Sequence, residues 1–316
     1  MIELAIQILI LAGSLVLMAS ASHFTIRSME ELIEFTGLSE ASAGFIILSV
    51  MTSTPELTVA VFSVMQGTPG ITVGDVLGSN IFNIGAVIGI LGMMGYMKSC
   101  CTELLLELTD VLFVTSLIPL LLVISHYHIF NVSSPIVGIL LLGTFAVAVY
   151  LMSKKRTPPV NVDKRETVRK KGLTKVTGRL LLSFAGVVVA ARLVVMSAID
   201  ITSFLGIPPI LIGAKLISIG TSLPELTVDL TAVRRGRAQL AVGDIIGSNL
   251  TNLTLVLGLV LVTSPFAVEM TVFTELLPFL LVTTIIFLRF LTRGGISQMG
   301  GIILVMTYIL FQAVVA

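Results

Sequence analysis

The sequence predicts an all-α membrane protein: ten transmembrane helices forming two five-helix repeats of inverted topology. Three observations predict it. The chain of 316 residues is 55% hydrophobic and only 12% charged, with a mean hydropathy of +1.07, which is more apolar than a water-soluble domain. Its apolar residues fall in ten runs near the length of about 20 residues that spans a hydrocarbon layer. One stretch of the first half also recurs, without a gap, in the second.

In order, the runs are 3–22, 40–65, 72–95, 104–125, 134–152, 179–199, 208–233, 240–263, 270–288 and 296–315. They are continuous rather than alternating, which argues against membrane-barrel strands and for helices, whose backbone groups are satisfied within each segment. The first run reads as a helix and not a cleavable leader, because Glu3 stands where a leader carries bases and no small-residue cleavage site follows. The second and third hold the first copy of the repeat. The fourth carries Glu103, Glu107 and Asp110 along one face, as an interfacial edge would, and the fifth closes a first half over 1–152. A basic linker, 153–178, contains Pro158 and Pro159. The sixth run opens a second half over 179–316, the seventh and eighth hold the second copy, and the ninth and tenth complete the chain. Cys100 and Cys101, the only cysteines, are adjacent and too close for an ordinary disulfide.

Net charge is +1, and its distribution carries the information. With ten spans, the segments on one side are 23–39, 96–103, 153–178, 234–239 and 289–295; with their flanks they hold 17 of the 19 Lys and Arg. The opposite loops hold none, and Arg192 and Lys215 fall inside runs. The positive-inside rule then places both termini outside the cell membrane and the linker in the cytoplasm. The linker's charge is topogenic, with no nucleic-acid site implied, and no obligatory protein partner is evident.

Offsetting the sequence by 169 residues aligns 44–89 with 213–258, with 20 of 46 positions identical. Thr52-Ser53-Thr54-Pro55-Glu56-Leu57-Thr58-Val59 faces Thr221-Ser222-Leu223-Pro224-Glu225-Leu226-Thr227-Val228. A second block, Val73-Gly74-Asp75-Val76-Leu77-Gly78-Ser79-Asn80, faces Val242-Gly243-Asp244-Ile245-Ile246-Gly247-Ser248-Asn249. An odd number of helices per half inverts the second copy in the membrane. Inverted repeats interrupted by polar, helix-breaking residues at matching places point to a secondary transporter with its site near the midplane.

Ser49, Thr52, Ser53 and Glu56 recur at i, i+3, i+4 and i+7, so they share one helix face, as do Ser218, Thr221, Ser222 and Glu225. Pro55 and Pro224 lack an N–H, so the carbonyls of Met51 and Gly220 are released and the helices bend there. Ser79 with Asn83, and Ser248 with Asn252, share faces at i, i+4. Gly74, Gly78, Gly243 and Gly247 permit close helix approach. Paired carboxylates, hydroxyls, amides and freed carbonyls form the oxygen-rich shell of a hard cation such as Ca2+, whereas Mg2+ wants a tighter octahedron. The set offers no Cys, His or Met to a softer metal. A carboxylate at the bilayer centre costs at least about 2.5 kcal/mol, so bound cations must neutralise the pair. Loaded states then cross while an empty, charged cavity crosses poorly, which is the logic of exchange.

These residues resemble the calcium/cation antiporter superfamily, in particular prokaryotic sodium/calcium exchangers, whose repeats carry a G-T-S-x-P-E signature and a G-N-x-x-G-S-N-I-x-N-like block. The resemblance spans the ten-helix plan and is most specific over 44–89 and 213–258. It implies antiport of Ca2+ against Na+ as substrates, with no cofactor. It implies that Thr52, Ser53, Glu56, Ser79, Thr221, Ser222, Glu225 and Ser248 line the sites, with backbone oxygen from Ser49 and Ser218. It also implies that the long first and sixth helices slide against the other eight. The sequence departs from the pattern at Met51, where Gly is usual, and at Asp75 and Asp244, where Asn is usual. Asn83 and Asn252 hold positions that carry Asp in some exchangers.

Asp75 and Asp244 lie one turn before the serines, as added ligands, as vestibule charges, or as partners of Lys215 and Arg192. Structural pairing of those bases is the favoured reading, and a built-in cation at Lys215 is the alternative. Asp229, whose counterpart is Ala60, stands one turn beyond Glu225 toward the inner mouth. Proton-coupled or K+-dependent exchange of Ca2+ or another divalent ion is the nearest rival; His23, His126 and His128 all lie outside the repeats. No nucleophile, base and metal constellation of an enzyme is present.

Overall fold

The structure, a computed structural model, describes residues 2–36, 50–98, 100, 102–154, 169–264 and 268–315. Every regular element among them is a helix: α1 (Ile2–Thr36), α2 (Thr54–Met65), α3 (Pro69–Phe82, continued to Met93), α4 (Glu103–Leu117), α5 (Leu120–His126), α6 (Ser134–Lys154), α7 (Arg169–Leu205), α8 (Pro209–Ile212, continued to Thr221), α9 (Leu223–Arg234), α10 (Ala238–Thr251, continued to Thr263), α11 (Met270–Leu291) and α12 (Gln298–Val314). Seven described segments are long and apolar enough to cross a membrane: Glu3–Ser28, Pro69–Met93, Glu103–His126, Thr174–Leu205, Pro209–Arg234, Ala238–Thr263 and Met270–Leu291. Three apolar helices are shorter, Thr54–Met65, Ser134–Tyr150 and Gln298–Val314.

The helices differ from the expected runs in identifiable ways. α1 and α7 extend well beyond 3–22 and 179–199, because Lys, Arg and Glu propagate a helix as well as apolar residues do. α6 runs to Lys154 and α7 starts at Arg169, so the described ends of the basic linker are helical. The fourth run is two helices, parted at Ile118 and Pro119. Three segments are wound as π-helix: Asn83–Ile88 in α3, Gly213–Ile217 in α8 and Asn252–Val256 in α10. The first and third open on the matching residues Asn83 and Asn252. Such π turns concentrate at functional sites.

A glycine-lined crossing brings α3 against α8. A Cβ on Gly74 would lie 2.0 Å from the Ile210 carbonyl oxygen, one on Gly78 2.3 Å from that of Ala214, and one on Gly213 2.2 Å from that of Ile71. Only glycine lets these backbones touch. The second and first copies of the repeat are thereby clamped together around the molecule's centre, where α3 and α10 are buried along most of their length.

α1 and α7 form a pair with their own apolar cluster, including Met18, Val187, Ala191 and Val194. Thr25 Oγ1 donates to Ser183 Oγ at 3.0 Å, and Arg179 Nε donates to Ser28 Oγ at 3.0 Å while its guanidinium pairs with Glu31.

Candidate cation site

The site begins with two breaks in the helical backbone. α8 ends at Thr221, and Ser222 adopts φ −92°, ψ 4° before α9 begins at Leu223. Ser53, ahead of α2, takes the matching φ −79°, ψ 8°. This bridge region is sparsely allowed and common at active sites. The prolines sit in the first turn of the new helices, where a missing N–H costs nothing, so they produce an interruption in place of the expected bend. Glu56 and Glu225 follow in those first turns. There the unsatisfied N–H groups and the positive end of the helix dipole favour an anion.

Thr52, Ser53, Glu56, Asp75, Ser79, Asn83, Ser218, Thr221, Ser222, Glu225, Asp244, Ser248 and Asn252 are all buried. Ser49 lies outside the described residues. Contacts between the repeats bring most of the others together. Ser53 Oγ is 3.1 Å from Ser248 Oγ, and Ser79 Oγ is 3.2 Å from Thr221 Oγ1. Ser248 Oγ donates to Glu225 Oε1 at 3.0 Å. Asp75 Oδ1 accepts from Thr221 Oγ1 at 2.9 Å and from Ser79 Oγ at 3.3 Å. The Ser218 hydroxyl is spent within its own helix, donating to the Ala214 carbonyl at 2.6 Å.

Two residues outside the expected ligand set tie the centre together. Asn80 Nδ2 donates to the Asn249 carbonyl at 3.1 Å, and Asn249 Nδ2 returns the bond to the Asn80 carbonyl at 3.2 Å. Asn83 Nδ2 adds a bond to Asn249 Oδ1 at 3.0 Å. Their identity in both copies was the available signal; their mutual contact carried none.

Many oxygens aimed into this region lack a hydrogen-bond donor: both of Glu56, Asp75 Oδ2, Glu225 Oε2, Asn83 Oδ1, Ser222 Oγ and Asn252 Oδ1. The ion pairs of Arg27 with Glu31 and of Arg179 with Glu31 are remote from the site. The expected pairing of Lys215 or Arg192 with Asp75 does not form. Lys215 Nζ donates to the Gln312 carbonyl at 3.0 Å with Glu275 as its neighbouring charge; Arg192 is exposed. Hydroxyls reach Asp75 first because they come from the site itself. Buried carboxylates without a counter-charge are costly. No three His, Cys, Asp or Glu side chains among the described residues converge as a metal site by themselves. An ion shell built from the described residues would draw on hydroxyl, amide and main-chain oxygen as well, the donors of hard cations.

Uncompensated carboxylates ringed by hydroxyls and amides, inside a bundle of apolar helices, define a membrane protein of ion transport. The chain belongs to the sodium/calcium exchanger protein family, whose family model matches residues 6–154 and 175–316. It is 29% identical over 349 residues to the sodium/calcium exchanger MaX1 of Methanosarcina acetivorans, covering 98% of this chain and 99% of that protein. It is 30% identical over 319 residues to the putative antiporter CaxA of Alkalimonas amylolytica, covering 98% of each. The sodium-calcium exchanger NCX_Mj, soaked with 10 mM Na+ and zero Ca2+, shares the fold with a TM-score of 0.70 at 23% identity, over 99% of this chain and 100% of that one.

Proposed function

We propose that the chain is a secondary antiporter that exchanges Ca2+ for Na+ by alternating access. The observation that carries this reading is the placement of Glu56 and Glu225 from corresponding positions of the repeat, both buried, each with an oxygen lacking a hydrogen-bond donor. Cations are then the neutralising partners that let the loaded site change sides. Family membership and the MaX1 relative support the same ions.

In this reading the ion shell is Thr52, Ser53, Glu56, Asp75, Ser79 and Asn83 with Thr221, Ser222, Glu225, Asp244, Ser248 and Asn252, and main-chain oxygen of Ser49 and Ser218. Ten helices in two inverted halves, 1–152 and 179–316, surround it, with the termini outside the cell membrane and the basic linker in the cytoplasm. The three shorter apolar helices supply the spans beyond the seven long ones. Ca2+ and Na+ are substrates, and the lipid bilayer is the remaining partner. The test is 45Ca2+ uptake into vesicles of reconstituted protein. An imposed Na+ gradient should drive uptake, and a pH gradient or K+ alone should not. Uptake driven only by the pH gradient overturns the choice of coupling ion.

A further inference from the structure

α9 and α10 form an antiparallel hairpin whose turn is 235–237. Its register is given by the bond from Ser248 Oγ to Glu225 Oε1. One helical turn toward the hairpin's end, four residues along each helix and so about 6 Å, the same register sets Asp229 level with Asp244.

Asp229 is fully buried, and neither of its carboxylate oxygens has a hydrogen-bond partner. The charges that act on it are Asp244 first and Glu225 second. No basic side chain among the described residues pairs with it; Arg234, Arg235 and Arg237 at the hairpin's end are all exposed. The first repeat builds nothing comparable. Its counterpart of Asp229 is Ala60, buried and apolar, so Asp75, the counterpart of Asp244, has no second acid at the matching place. The extra carboxylate therefore stands on one side of the centre only. A buried carboxyl with no donor and no base either stays neutral by holding a proton or ionises when a cation joins it.

We propose that Asp229, together with Asp244 at the edge of the shell nearest the hairpin's turn, holds a divalent hard cation at a second position, one turn from the central site toward the end of the hairpin. Two carboxylates balance the charge of one Ca2+, which accepts mixed carboxylate and water ligation. Glu225 lies between the two positions, so an ion can pass from one to the other without leaving carboxylate oxygen. The inference rests on the antiport reading only for its direction of use; occupancy of the second position does not depend on transport.

The test is equilibrium dialysis of the purified full chain in detergent with 45Ca2+ in Na+-free buffer. Wild type should bind two Ca2+ per chain. Asp229→Asn, which keeps the shape, and Asp229→Ala, which copies the residue of the first repeat, should each lose one ion and keep the other. Glu56→Gln should lose the central ion and keep the one at Asp229. A single ion on wild type overturns the proposal whatever the variants do, as does retention of both ions by Asp229→Ala. Two ions bound by a protein that fails the Na+-driven uptake assay would uphold this position and refute the antiport reading.

Discussion

Glu56 and Glu225 occupy equivalent places and meet different surroundings. Ser248 donates to Glu225, whereas both oxygens of Glu56 lack a hydrogen-bond donor. Replacing either by Gln removes one charge from a buried pair, an effect of about 3 kcal/mol or roughly 100-fold in cation affinity. Both variants should abolish Na+-driven 45Ca2+ uptake while eluting as folded protein; retained uptake in Glu56→Gln would remove it from the shell. The central asparagines allow a finer comparison. Asn249→Ala takes the acceptor from Asn83 as well as the donor to Asn80, while Asn80→Ala removes only the one donated bond. Each buried polar group left unpaired costs about 1–3 kcal/mol, so thermal unfolding in detergent should fall further for Asn249→Ala than for Asn80→Ala. Equal losses would contradict the observed bonding. The carboxylates and hydroxyls were legible in the sequence because they recur at matched helical spacing. The partners of Asn80 and Lys215 were not, because contacts between residues 169 or 97 apart leave no local pattern.

Among the elements, the breaks at Ser53 and Ser222 were half legible. Pro55 and Pro224 announce a disturbance, and the structure resolves it as a new helix start that delivers each Glu to a positive helix end. The π turns at Asn83 and Asn252 were not legible, since one extra residue per turn leaves the apolar period almost unchanged. Close helix approach at Gly74 and Gly78 was anticipated from glycine content, and the structure adds that the partner is α8 and which backbone each glycine meets. Gly74→Ala would push a methyl to 2.0 Å from a main-chain oxygen that no rotamer change can move. Overpacking of this kind costs about 1–3 kcal/mol or more. Detergent melting should show a clear loss for Gly74→Ala and none for Gly143→Ala in α6, where a Cβ meets nothing within 4 Å. A Gly74→Ala protein as stable as wild type would mean that the helices part easily at this crossing.

For the molecule as a whole, the apolar helical character was legible, while the reach of α1 and α7 was not legible in hydropathy, where their polar ends look like loop, and followed only from the family resemblance. If α1 and α7 move as one body against the rest, covalent links should sort by location. In a background lacking Cys100 and Cys101, Thr25→Cys with Ser183→Cys joins α1 to α7 where their hydroxyls already touch, and exchange should continue. Leu15→Cys with Gly220→Cys joins α1 to α8, where Leu15 packs on Gly220, and exchange should stop until reductant is added. Arrest by the first link, or continued turnover under the second, would refute the sliding pair. The reciprocal bonds of Asn80 and Asn249 carry one more consequence. Each amide finds its acceptor on the opposite copy, so the chain is built like a heterodimer whose two subunits happen to share a peptide tether. Cut at the basic linker and expressed as two polypeptides, the halves should reassemble with each other in the membrane, whereas either half alone, holding out amides with nothing to receive them, should be degraded.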